Sequence, residues 1–265
     1  MSLDENPAPW AAATESAVAP MWEPVQADTL SWRIVSQVRK ALFAGQLKPG
    51  DFLGTEASIA AQFGVSRMAA RDALRSLAAV GIINIRQGAK GGAVVAQGNA
   101  EHFADALAVQ LKLIGVSETE MLDAQIGIEG MAAELAAQRA SPSDLTRMAG
   151  LLEELRRLLD EPVSFTDVSM RFHLAVVEAS HNRALVAQFK ALRYVLLPAY
   201  TRHTTREIAE RAVEAHGILL QRIESGDAEG ARTQMVKRLR VIRTNRFAGD
   251  DPGAGVSMQP TPTVR

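Results

Sequence analysis

From residue 29 to residue 246, apolar positions recur mostly at helical spacing. Leu30, Ile34, Val38, Ala41 and Leu42 share one face of a first helix beginning at Thr29, and Gly45 supplies a stop before "LKPGDFL". "TEASIAAQF" gives a short second helix around Ile59, Ala60 and Phe63, broken by Gly64. Ser66 then caps a third, with Ala70, Ala73, Leu74 and Leu77 as its buried stripe. After Gly81 the period changes: "IINIR" and "AVVAQ" are β-prone, and the glycines of "QGAKGG" suit a hairpin tip. Residues 29–95 are thus expected to form a helix-turn-helix followed by a two-stranded wing.

A polar connector, residues 96–101, opens with "AQGNA". Beyond it, over 102–246, the pattern is helical throughout. Ser117 and Glu120 make a capping box, and "SPSDL" offers Ser141 as cap, Pro142 at the first helical position and Asp144 in the first turn. "SFTDVSMRFHLAVVEAS" is amphipathic around Phe172, Ala175 and Val176; a further helix runs from Asn182 to Tyr200, with Pro198 near its end. A last pair, about 205–224 and 228–245, is joined by "SGD", where Gly226 ends one helix and Asp227 caps the next. The fold class is therefore mostly α: a winged helix-turn-helix, then an all-α antiparallel bundle of six or seven helices. Residues 1–28 and 247–265 have no period and are expected to be disordered tails.

At 265 residues and 47% hydrophobic content the chain can bury two modest cores. Without cysteine, disulfides, thiolate zinc sites and cysteine nucleophiles are excluded. The first residues carry acids where a signal peptide needs a basic region, and no stretch reaches the roughly 18 apolar residues of a membrane helix. A cytoplasmic protein is expected. There is no H-E-x-x-H, no G-x-S-x-G and no phosphate-binding glycine loop, so no enzyme is expected.

The net charge of −1 hides an asymmetry, because residues 29–95 hold nine basic side chains against three acidic ones, a net +6, leaving −7 for the rest. Arg67, Arg71 and Arg75 stand at four-residue spacing behind the Ser66 cap. A recognition helix meets the major groove with its N-terminal residues, and a guanidinium can bind guanine O6 and N7 or neutralise phosphate. The alternative is a solvated surface helix on which Arg75 pairs with Asp72.

The span "GQLKPGDFLGTEASIAAQFGVSRMAARDALRSLAAVGIINIRQGAKGGAVV" resembles the DNA-binding domain of the GntR family of bacterial transcription regulators. The resemblance lies in G-x-L-x-P-G, in V-S-R-x-x-x-R-x-A-L at Val65–Leu74, and in the L-x-x-x-G-I close at Leu77–Ile82. It implies operator contacts from Ser66, Arg67, Arg71, Gln87, Gly88 and Lys90. Ala57 departs from the pattern, standing where many members carry a DNA-contacting arginine.

In the second region a lone histidine is more often structural than a ligand. His216 and Arg238, however, lie ten residues before and twelve after Gly226, at about the same level of a helical hairpin, ~15–18 Å from its turn. Ser169 shares a helix face with His173 at i and i+4. "FHLAVVEASHN", "IEGMAAELAA" and "HGILLQRIESGDAEGARTQM" are similar to the FCD effector domain of the FadR branch of that family. The resemblance implies a divalent metal, such as Zn or Ni, held by an aspartate and three histidines, and a carboxylate effector. His173 and His216 match two histidine positions and would be the ligands if a metal is retained. Ser169 and Arg238 stand at the other two positions, and Gln125 where many members have an arginine, while Asp167 faces elsewhere. Two imidazoles beside a guanidinium make a poor cation shell, so no metal cofactor is expected. Arg238 is expected to bind an effector carboxylate instead, with Ser169, His173, His216 and Gln125 around it. The resulting expectation is a ligand-responsive, homodimeric regulator of a double-stranded DNA operator; the alternative is a constitutive or architectural DNA-binding protein whose bundle only dimerises.

Overall fold

The computed structural model describes residues 29–88 and 91–246. The two tails and Lys90 lie outside the described residues. The chain divides into two compact units between Gly98 and Asn99.

The first unit runs α1 (Leu30–Phe43), β1 (Phe52–Gly54), α2 (Glu56–Phe63), α3 (Arg67–Ala79), β2 (Ile83–Arg86) and β3 (Gly92–Val95). Its caps follow from side chains one turn ahead. Thr29 accepts from Trp32 N, Thr55 and Ser58 form a capping box, and Ser66 Oγ accepts from Ala69 N at 3.2 Å. Ile34, Ile59, Ala73, Leu77 and Ile83 close one core beneath the three helices. The wing differs from the expected two-stranded ribbon, because β1 joins it in a three-stranded antiparallel sheet of order β1-β3-β2. A strand of three residues is too short to show a period of two. It is held instead by backbone bonds from Val95 N to Asp51 O (2.8 Å) and Gly50 N to Val95 O (2.9 Å). At the wing tip a Cβ on Gly91 would meet Arg86 O at 2.5 Å and Gly88 O at 2.7 Å, so the turn closes only with glycine there.

The second unit holds seven described helices: α4 (Ala100–Ile114), α5 (Glu118–Arg139), α6 (Pro142–Arg157), α7 (Pro162–Ala179), α8 (Arg183–His203), α9 (Arg206–Glu224) and α10 (Ala228–Arg246). The connector is shorter than the expected 96–101. Asn99 Oδ1 accepts from Glu101 N and His102 N, which draws residues 100 and 101 into the first turn of α4. Likewise α8 continues past Pro198 to His203 rather than ending at Tyr200. The core gathers Phe172 and Val176 of α7, Phe189 and Leu196 of α8, Leu219 of α9 and Leu239 of α10. α5 lies close to α10: a Cβ on Gly130 would stand 2.8 Å from Val236 Cγ2, and Ala132, Ala133 and Ala136 are fully buried on α5.

Candidate DNA interface and effector cavity

In the first unit Arg67, Arg71 and Arg75 are all exposed along α3. Arg71 is clamped to Glu56 of α2, with Nε to Oε1 at 3.0 Å and Nη2 to Oε2 at 2.9 Å. Among the described residues Arg75 and Asp72 form no ion pair, and the pair made from this helix is Arg71 with Glu56. The Arg71 hydrogen bond, together with the charges of Arg71, Arg75 and Arg67, holds the Glu56 carboxyl below its ordinary range. Three guanidinium groups therefore bear on one anionic point. Glu56, Ala57, Arg67, Arg71, Arg86 and Gly88 line a groove between α3 and the wing. Ala57 is exposed there and leaves its place without charge. Gln87 and Gly88 are exposed at the wing tip.

In the second unit α7, α8, α9 and α10 enclose a cavity of about 30 Å³. Ser169 and His173 of α7, His216 of α9 and Arg238 of α10 all line it, with Tyr200 of α8 and Thr204 just after that helix. Ser169 Oγ lies 3.1 Å from His216 Nε2. The His216 ring stacks on Phe172 at 4.5 Å between centroids and meets the His173 ring edge-on at 4.9 Å. Burial, and then the nearby His173 and Arg238, hold His216 well below the ordinary imidazole value of 6.5. Burial also lowers the Arg238 guanidinium from its ordinary value, although a guanidinium stays charged in water-excluded settings. Arg238 Nε is shielded from solvent and has no hydrogen-bond partner, and among the described residues Arg238 pairs with no carboxylate.

Gln125 is not on the cavity wall where it was expected. It is fully buried behind it, accepting from Tyr200 Oη at 2.9 Å and donating Nε2 to Glu129 Oε1 at 2.5 Å. The other oxygen of Glu129 meets His173 Nδ1. The chain Tyr200, Gln125, Glu129, His173 thus fixes two cavity residues from behind, and it leaves Nε2 as the His173 nitrogen open to the cavity. Glu129 and Tyr200 stand outside the site residues that the sequence singles out. The signal was present, since Gln125, Glu129, Ala132 and Ala136 fall on one helical face and an acid on a buried face needs a partner. Asp167, as expected, lies elsewhere, bonded to Arg193 at 2.9 Å.

The divalent metal implied by the resemblance does not fit this donor set. Only two imidazoles reach the cavity, one of the two other positions is a hydroxyl, and the fourth is a cation. Among the described residues no three of His, Cys, Asp or Glu stand where they could share an ion.

Because His216 is held neutral in the fold, the unfolded chain binds more protons below its own imidazole value of 6.5. Stability from this residue is complete above pH 6.5 and is lost as the pH falls below it, by up to about 1.4 kcal/mol per pH unit. Urea midpoints measured from pH 7.5 to 5 should therefore fall more steeply for the parent than for His216→Asn. Parallel slopes would show that His216 protonates freely in the fold.

A basic winged helix-turn-helix followed by an all-α unit that holds a small cavity is the architecture of a DNA-binding regulator. Residues 30–95 match the bacterial regulatory proteins, gntR family, and residues 120–240 match the FCD domain; together they span more than half of the chain. The chain belongs to the GntR family of transcription regulators and carries a C-terminal FCD domain. It is 28% identical over 235 residues to an Escherichia coli (strain K12) regulatory protein named for the L-lactate dehydrogenase operon, covering 85% of this chain and 89% of that one. To the transcriptional regulator LutR of Bacillus subtilis it is 28% identical over 203 residues, covering 74% and 91%. Among solved structures a Streptococcus agalactiae GntR protein superposes with a TM-score of 0.54 at 18% identity, covering 81% of this chain and 100% of that one, a likeness of fold. No helix among the described residues is long and apolar enough to cross a membrane.

Proposed function

We propose that this transcription regulator senses a small organic acid, whose carboxylate pairs with Arg238 in the cavity of the second unit. The observation that carries the reading is Arg238 itself, a largely enclosed cation with an unpartnered Nε and no carboxylate beside it. An uncompensated charge in such a place is costly, and a bidentate carboxylate relieves it. Ser169 and the imidazoles of His173 and His216 would orient the rest of the ligand. A cavity of about 30 Å³ has room for little more than two water molecules, so the acid is very small or the walls open to admit it. The names of the two curated relatives point to operons of small-acid metabolism only in the first case, L-lactate dehydrogenase. On the DNA side the reading assigns base or phosphate contacts to Ser66, Arg67, Arg71, Arg75, Gln87, Gly88 and Lys90. Two chains, paired through the helical units, would set two winged units on the halves of a roughly palindromic operator.

The test is a thermal-shift screen of metal-stripped protein against small carboxylic acids and, separately, Zn and Ni. An acid at 100 times its dissociation constant should stabilise the protein by about 2.7 kcal/mol, and Arg238→Ala should abolish that shift. Stabilisation by a metal, or by acids equally in Arg238→Ala, would refute the assignment. If the bundle only dimerises, no acid will alter either stability or operator affinity.

A further inference from the structure

A second cavity, of about 190 Å³, lies between α4, α7 and α8. Leu174, Leu197, Pro198 and Tyr194 form its apolar walls, and Lys190, Arg193 and Glu101 its polar ones. Lys190 and Arg193 stand one helical turn apart with side chains only 19% and 28% exposed, so both cations are mostly removed from water. Arg193 gives Nη2 to Asp167, but its Nε is shielded from solvent and has no acceptor. Lys190 pairs with Glu101, whose own side chain is 58% exposed. Within the lining two cations thus face one carboxylate, and that carboxylate is weakly committed because water solvates it equally well.

We infer that this cavity is a second anion site, taking a carboxylate on a compact apolar or aromatic body, which displaces Glu101 from Lys190. The carboxylate meets Lys190 beside the Arg193 guanidinium, and the body lies against Leu174, Leu197 and the Tyr194 ring. The volume suffices, since a protein cavity of roughly 150 Å³ holds benzene. The central cavity, at about 30 Å³, is too small for such a body. Occupancy here also has a route to the rest of the chain. Glu101 sits in the first turn of α4, directly after the Asn99 cap and next to the boundary between the two units. A ligand that takes Lys190 releases that turn from α8. The inference stands apart from the role proposed for Arg238.

Benzoate is a suitable probe, with benzamide as the uncharged control, titrated calorimetrically into the full-length protein. Benzoate should bind and benzamide should not. Lys190→Met should weaken benzoate about tenfold, the size of one charge-assisted hydrogen bond. Glu101→Gln, which removes the competing carboxylate and is exposed enough to spare the fold, should bind it severalfold more tightly. Amide exchange in the first turn of α4 should quicken when benzoate is bound. Heat that persists in Arg238→Ala belongs to this cavity, whatever the fate of the central site. Absence of binding by both the parent and Glu101→Gln would overturn the inference. So would binding lost in Arg238→Ala but retained in Lys190→Met, which would assign benzoate to the central cavity and leave the reading of Arg238 standing.

Discussion

Glu129→Ala is expected to destabilise the helical unit by about 3–5 kcal/mol, the range found when one partner of a buried pair is removed. Glu129 is fully buried, and its two oxygens satisfy His173 Nδ1 and Gln125 Nε2. Truncation strands both groups without water, at about 1–3 kcal/mol each. For a unit of this size the loss corresponds to a fall in melting temperature of about 10 °C, read from the helical circular dichroism signal. Glu129→Gln keeps one acceptor and most of the volume, and should fall clearly short of that loss. If the alanine variant melts within about 2 °C of the parent, the buried chain is not what fixes the cavity wall. Because His173 and Tyr200 line the cavity, a destabilised Glu129 variant that still folds should also bind any effector more weakly.

The second large effect is expected on DNA. Arg67→Ala should weaken operator binding by about 1–3 kcal/mol, the cost of one lost bidentate base contact. The loss for Arg71→Ala should be smaller. Arg71 begins in an ion pair with Glu56, and any contact it makes with DNA must break or share that pair, whereas Arg67 forms no ion pair among the described residues. The comparison calls for an operator recovered by selection from random duplex DNA, with affinities measured by fluorescence anisotropy beside an unrelated duplex. A loss confined to the operator assigns base reading; an equal loss on both duplexes assigns phosphate neutralisation. Unchanged affinity in both variants would remove the two arginines from the interface.

Local rules settled much of this protein. Ser66, Ser117 and Ser141 cap the helices that their positions predict, because capping involves only atoms within one turn. The stripe Ala70, Ala73, Leu74 and Leu77 is buried as its period requires, and the hairpin level of His216 and Arg238 brought both to one cavity through helix geometry alone. The motifs carried the family as well. Tertiary structure decided which partners meet over long separations in sequence. Nothing local pairs Arg71 with Glu56, Glu129 with His173, or Lys190 with Glu101, which stand 15, 44 and 89 residues apart. Nor does any local rule add β1 to the wing, since three residues have too little pattern to announce a strand and only the edge of β3 makes them one. Burial has the same origin. Helix spacing sets Arg238 level with His216, but only the packing of three further helices shields its Nε from solvent and leaves it without an acceptor.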